Sequence, residues 1–251
     1  ASILRITFVI YENNLIIGKA NRYLLPLTKK IFVSHKELEG IPNKYKFKVC
    51  EIGNLIRKEI INFNKKNLEN ENFDVIKILV LGGSQAAKVF AEKLPLIFKR
   101  CKKEEISIKV YQQCLKNQKD DLLLFYKNLN IDFEIFNFTN NIHEYFSKVN
   151  LAITRSGASI MGELTNANIP FISVPLPTSA DNHQLKNALY YEKISFSYLI
   201  EEKNLEAKLF DLIKLLYKDK SLLKRMKINQ SQYSDKNVFQ NINLQLEKIF
   251  N

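Results

Sequence analysis

From residue 75 onward the apolar positions switch regularly between short continuous runs and a spacing of three or four. The runs at 76–81, 106–111, 132–137, 150–154 and 170–175 read as strands buried on both faces. Periodic segments near 85–100, 116–129, 141–148, 158–167 and 182–192 read as the helices between them. Such alternation predicts a parallel sheet covered on both sides by right-handed crossovers. Residues 198–200 suit a short edge strand, and 204–218, 220–230 and 236–250 read as three closing helices. Upstream, strands at 5–10, 30–34 and 47–52 and a helix at 19–30 form the tail of a second α/β unit, too small to be a domain alone. Between the two parts, residues 62–74 are asparagine-rich, carry both charge signs and have no period, so they read as a linker. The expected organisation is 1–61 as the remnant of an N-terminal domain, 62–74 as linker and 75–235 as the main domain. Residues 236–251 form a last helix, for which packing back onto the first part is left open.

Composition narrows this picture only a little. With 251 residues, 17 Phe and 11 Tyr, the chain can bury one large core or two modest ones. No apolar run approaches the ~20 residues of a membrane span, and no signal-peptide pattern is present. The chain opens directly into a strand, which suggests that an upstream part is absent. Cys50, Cys101 and Cys114 are odd in number and lack metal or redox spacing, so burial in a reducing compartment is the expectation. The net charge of +12 favours anionic partners but fits solvated lysine-rich helix faces as well.

Candidate chemistry gathers where strands end. Ala152-Ile-Thr-Arg-Ser-Gly-Ala158 is a strand with a small-residue turn, followed by a helix carrying Glu163. Pro170 to Pro177 is the next strand, and Asp181-Asn-His-Gln184 opens another helix. Open parallel sheets bind ligands at such carboxyl ends, where helix N-termini also point. Arg155 is costly to bury alone, so it either pairs with a carboxylate or faces the ligand. Glu163 is placed to accept hydrogen bonds from a ribose diol, or merely to complement the helix dipole. The turn Leu81-Gly-Gly-Ser-Gln-Ala-Ala87 offers glycines and Ser84 to a phosphate, yet it has neither the P-loop lysine nor the third glycine of the dinucleotide fingerprint. Arg57 after Gly53-Asn54 is a phosphate clamp or a plain surface charge. His183 stands alone, and no Cys/His/Asp cluster has zinc spacing, so no metal is expected. No nucleophile elbow or Cys/His dyad is present.

In order and spacing, these motifs resemble the peptidoglycan glycosyltransferase MurG family. The likeness runs through Tyr11-Glu-Asn-Asn14, Gly53-Asn-Leu-Ile-Arg57, Gly82-Gly-Ser-Gln-Ala-Ala87, Thr154-Arg-Ser-Gly-Ala158 with Glu163, and Pro175 to Gln184 with Asn187-Ala188. It implies a GT-B α/β fold: a Rossmann-like C-terminal domain plus the last part of a second Rossmann-like domain. It implies inverting transfer of N-acetylglucosamine from UDP-GlcNAc to lipid I (undecaprenyl-pyrophosphoryl-MurNAc-pentapeptide), giving lipid II, without a cofactor and without nucleic acid as a partner. The setting would be the cytoplasmic face of the bacterial inner membrane, with the protein held peripherally on that anionic surface. By the same resemblance, Asn14, Arg57 and Ser84 contact the donor at the cleft, and Thr139 grips uracil through its backbone. Ser156, Gly157, Ala158 and Ser159 lie on the diphosphate or sugar, Glu163 on the ribose, and His183 and Gln184 on the sugar hydroxyls. Tyr11, Leu55, Ala86 and Gln112 depart from the family pattern at a His, a Pro, a Gly and a His. The family's first glycine-rich loop, with the usual general base, is absent from this stretch, so no catalytic base is assigned. The rival expectations are another GT-B UDP-sugar enzyme, such as a UDP-GlcNAc 2-epimerase or a lipid glycosyltransferase, and an inactive nucleotide-binding fragment.

Overall fold

The structure, a computed structural model, describes residues 6–63 and 73–250, with the side chains of 84–87 outside the description. Most of the expected linker, residues 64–72, and the start of the first expected strand therefore lie outside the described residues.

Two parallel sheets organise the chain. The first holds β1 (Val9–Glu12), β2 (Lys30–Val33) and β3 (Val49–Glu51) in the order β1-β2-β3, with α1 (Lys19–Leu24) between β1 and β2 and α2 (Lys58–Ile61) after β3. The helix expected over 19–30 stops at Leu24, two residues before Pro26, and the chain turns there into β2. Residues 43–48 take a 3-10 turn, which delays β3 to Val49.

The second sheet contains β4 (Ile76–Leu81), β5 (Ile108–Gln113), β6 (Asp132–Phe136), β7 (Leu151–Thr154), β8 (Phe171–Ser173) and β9 (Ser197–Leu199). All of its pairings are parallel, in the order β6-β5-β4-β7-β8-β9. With β4 taken as first, this is the doubly wound dinucleotide-fold order 3-2-1-4-5-6, and its switch point falls between β4 and β7. The crossovers are α3 (Gly83–Lys103), α4 (Lys119–Asn128), α5 (Ile142–Phe146), α6 (Ala158–Asn166) and α7 (His183–Lys193), followed by α8 (Leu205–Lys218), α9 (Lys220–Ser231) and α10 (Val238–Phe250).

Period-two alternation splits β4 between two cores. Ile76, Ile78 and Val80 face α3, α4 and α8, where Phe90, Phe98, Tyr126 and Leu209 fill one layer. Leu79 and Leu81 face the opposite layer with Phe146, Met161, Leu164 and Tyr191. That second layer also takes Ile56 and Ile60 from the first unit, so the two units share apolar packing. The last helix closes the other side: Ile242, Leu246 and Ile249 of α10 pack with Phe32 and Ile52 on the first sheet.

Candidate functional site

A cavity of about 630 Å³ opens at the carboxyl ends of β4, β5 and β7, at the switch point of the sheet. Gly82 and Gly83 border it after β4, Gln113 and Cys114 at the end of β5, and Phe138 and Thr139 after β6. Thr154, Arg155 and Gly157 border it after β7, Leu176 after β8, and Arg57 enters from the first unit. Gly83 has φ +63 with open space where a Cβ would stand, so backbone conformation rather than crowding calls for glycine there.

The turn after β7 is held from behind by α7. Ser156 donates its N–H to Gln184 Oε1 at 3.2 Å, and Leu176 N donates to the same oxygen at 3.0 Å. Asn187, one helical turn on, donates Nδ2 to Ser156 O at 3.0 Å. Two backbone donors on Gln184 Oε1 fix the amide orientation, leaving its NH2 group as the donor beside the cavity. The helix behind this turn, α6, starts at Gly157 with no side-chain cap, so its first N–H groups remain available to an anion.

Two arginines border the cavity. Arg155 is buried; it donates to the carbonyls of Val174 (3.2 Å) and Pro175 (3.3 Å), pairs with Glu202, and lies over the Phe90 ring at 4.9 Å. Of the two roles open to it, the structure therefore shows the carboxylate pairing. Arg57 reaches across the cleft to α6. Its Nε donates to Glu163 Oε1 at 2.8 Å and its Nη2 to Oε2 at 2.5 Å, a bidentate pair, while Nη1 donates to Asn140 O at 3.2 Å. The hydrogen bonds it donates to Glu163 raise the Arg57 pKa further, with burial opposing. Burial pushes the Cys114 thiol up, so it is a poor thiolate nucleophile.

Of the residues singled out in the sequence, Arg57, Thr139, Gly157 and Gln184 border the cavity. Ser156 and Ala158 are buried in the turn, and Ser156 Oγ has no partner among the described residues. Glu163 lies on α6 beneath Arg57. Asn14, Ser159 and His183 fall outside the lining. Asn14 is bonded to Glu12 and Asn187, Ser159 accepts from Asn13, and His183 Nδ1 donates to Ala180 O at 2.8 Å. That bond occupies Nδ1 and leaves Nε2 for another partner. Ser84 begins α3, and its side chain is outside the description.

Two departures noted in the sequence turn out to be bonded to each other. Leu55 N donates to the Tyr11 hydroxyl at 3.0 Å, a bond that a proline at 55 could not make. Gln112 is buried under Tyr126, whose hydroxyl donates to it at 2.6 Å, while its neighbour Gln113 borders the cavity. Asn187 has no role in the motif reading; its i, i+3 spacing from Gln184 is the signal that places it behind the same turn. Among the described residues no group of three or more His, Cys, Asp or Glu is placed to hold a metal.

Residues 77–242 match the model of the glycosyltransferase family 28 C-terminal domain. A UDP-N-acetylglucosamine–N-acetylmuramyl-(pentapeptide) pyrophosphoryl-undecaprenol N-acetylglucosamine transferase of Pelagibacter ubique is 34% identical over 253 residues, spanning 100% of this chain and 70% of that protein. The chain belongs to the MurG family. A relative of the same name from Rickettsia canadensis is 34% identical over 85% of this chain and 62% of its own length, so the chain spans between about three fifths and seven tenths of such relatives. The crystal structure of Acinetobacter baumannii MurG superposes with a TM-score of 0.80 at 21% identity, over 98% of this chain and 68% of that one. A UDP co-structure of S. aureus MnaA superposes at 0.59 with 18% identity, over 88% and 60%. The fold is GT-B, and the family is one of glycosyltransferases.

Proposed function

We propose that the cavity binds UDP-GlcNAc and that the chain supplies the donor half of an inverting transfer of GlcNAc to lipid I, giving lipid II. The observation that carries this is the meeting, at one switch point, of an uncapped helix N-terminus, a cleft-crossing arginine and a buried glutamate. The uracil takes the backbone at Thr139, the ribose diol takes the Glu163 carboxylate, and the diphosphate lies between the N-terminus of α6 and Arg57. Ser84, with the turn of Ser156, Gly157, Ala158 and Ser159, flanks the diphosphate and sugar. Asn14, the Gln184 amide and His183 Nε2 meet the sugar from the cleft side.

In this arrangement the bidentate Arg57–Glu163 pair opens on binding: the ribose replaces Arg57 on Glu163 and the diphosphate replaces Glu163 on Arg57. The acceptor hydroxyl attacks the anomeric carbon as its bond to the UDP oxygen breaks. Arg57 and the α6 dipole stabilise the charge that gathers on the leaving diphosphate. The hydroxyl proton leaves to a base that is assigned to no residue of this chain.

The test is calorimetry with UDP-GlcNAc, followed by incubation of labelled donor with lipid I. Donor binding with lipid II formation supports the full reading. Binding without product favours a nucleotide-binding fragment, and UDP-ManNAc formed without acceptor favours an epimerase. The curated relatives carry the transferase name, which supports the first outcome.

A second part of the reading concerns location at the cytoplasmic face of the inner membrane. Tyr23, Phe47 and Leu27 are 83%, 71% and 54% exposed. Lys48 Nζ donates to Leu25 O (2.8 Å) and Thr28 O (2.7 Å), which brings Phe47 next to the end of α1. Lys29, Lys30, Lys44 and Lys46 flank these residues in sequence. Apolar residues set among lysines suit an anionic lipid surface, at ~1 kcal/mol per basic residue near it. No helix among the described residues is long and apolar enough to cross a membrane. Co-sedimentation with anionic vesicles, lost on Phe47→Glu and absent with neutral vesicles, is the expected result; equal binding to neutral vesicles counts against it.

A further inference from the structure

Behind the cleft arginine lies a second, fully buried tie between the two units. Asp235, in the connection between α9 and α10, is 3% exposed, and its carboxylate accepts from amide and phenol donors. Its Oδ1 accepts from Asn54 N at 2.8 Å and from the Tyr233 hydroxyl at 3.0 Å. Its Oδ2 accepts from Asn54 Nδ2 at 3.1 Å and from Asn166 Nδ2 at 2.6 Å. Asp235 N in turn donates to Asn166 Oδ1 at 2.9 Å.

One carboxylate thus joins the β3–α2 turn of the first unit to α6 of the second. The fit leaves no slack: a Cβ on Gly53 would stand 2.4 Å from Asp235 Oδ1, and one on Gly162 would stand 3.0 Å from Asn54 Cγ. The positions along the chain matter. Asn54 precedes Arg57 by three residues, and Asn166 follows Glu163 by one turn of α6. The buried tie and the cleft pair therefore span the same two elements side by side. None of the bonds of the buried tie involves Arg57 or Glu163.

We propose that Asp235 is a positioning residue for the donor site: through Asn54 and Asn166 it fixes the turn bearing Arg57 against α6, so that Arg57 stays aimed into the cavity after Glu163 releases it. The inference rests on the reading of the cavity as a UDP-sugar site. It predicts that the effect of Asp235 on donor affinity runs through Arg57.

The test is a thermodynamic cycle in UDP-GlcNAc calorimetry on the wild-type chain, Asp235→Ala, Arg57→Ala and the double variant. Asp235→Ala is expected to weaken binding about tenfold in the wild-type background and less than about twofold in the Arg57→Ala background, as for coupled neighbours. Equal losses in the two backgrounds, or no loss in either, overturn the proposal, because a merely structural residue acts alike in both. Should Asp235→Ala fail to fold, Asn166→Ala cuts the bonds of Asp235 to α6, along with one to Gly162 O within that helix, spares those to Asn54, and carries the same expectation through the same cycle. Amide hydrogen exchange gives a donor-free reading. Either variant should speed exchange at Ile60, Ile61 and Asn62, whose N–H groups close the turn on Arg57 and Lys58, while β4 stays protected. Unchanged exchange there also overturns it. If the wild-type chain binds no UDP-GlcNAc, the cavity assignment falls, and the exchange measurement still decides whether Asp235 holds the turn.

Discussion

Two arginines border the same cavity and each meets a glutamate, yet the two corners are built for different ends. Arg155 and Glu202 both belong to the second unit, and the Arg155 side chain is only 8% exposed. Its Nη1 donates to the Val174 and Pro175 carbonyls, its flat face rests on Phe90, and its buried Nε has no partner among the described residues. Arg57 is 41% exposed, comes from the first unit, and spends its fork on Glu163 across the cleft. A buried guanidinium surrounded by fixed acceptors cannot leave without stranding its charge. A half-exposed one can exchange its carboxylate for a phosphate at little cost, because water compensates it meanwhile. The first corner holds the carboxyl ends of β7 and β8 in place. The second joins the two units through a half-exposed pair, the corner that the proposed donor site requires to open.

Making the same deletion in both corners is the strongest way to break this comparison. Glu202→Ala leaves the Arg155 charge buried with only carbonyl partners, and the expected loss is about 3 kcal/mol. For a chain of this size that lowers the melting temperature by roughly 6–12 °C. Glu163→Ala leaves Arg57 facing solvent and should cost less than about 1 kcal/mol. Thermal unfolding of the two variants side by side checks this. Equal losses would mean that the Arg57 corner is as structural as the other.

The order reverses for the ligand. Glu163→Ala is expected to weaken UDP-GlcNAc binding at least about tenfold, since hydrogen bonds to a charged group contribute ~1.5–3 kcal/mol and freeing Arg57 returns only part of it. Glu202→Ala, measured below its melting temperature, should change the affinity far less. Unchanged affinity in Glu163→Ala would remove that residue from the ribose role.

Which parts of this could be read from the chain follows from the range of each interaction. Strand–helix alternation is local, so the parallel α/β sheet was legible from runs such as Ile76–Leu81. The start of β5 was not. The apolar run beginning at Ile106 suggested a strand over 106–111, whereas the ladder runs from Ile108 to Gln113. The strand ends in two glutamines, one buried under Tyr126 and one at the cavity, and an apolar pattern cannot register buried polar residues. Glu163 and Arg57 were each found by motif, but their pairing joins positions 106 apart and carries no sequence signal. Asp235 is invisible for the same reason: it falls between the helices expected at 220–230 and 236–250, and only the fold brings it against Asn54 and Asn166.

The smallest expected effect sharpens the same contrast through pH. His35 of the first unit is buried at the junction, 3.3 Å from the Tyr191 hydroxyl and against the rings of Tyr190 and Tyr233. Burial lowers its pKa below the ordinary 6.5, while Asp235, Glu37 and Glu51 pull the other way. The folded chain therefore keeps His35 neutral where the unfolded chain takes up a proton. Its contribution is complete above about pH 6.5 and is lost as pH falls from there through the lower folded pKa, with a slope no steeper than ~1.4 kcal/mol per pH unit for one proton. Melting temperature against pH should thus fall more steeply between pH 7 and 5 for wild type than for His35→Phe, and Glu202→Ala should keep the wild-type slope. A His35→Phe curve parallel to wild type would show that the junction carries no buried neutral histidine, and the difference between the two corners would then rest on their arginines alone.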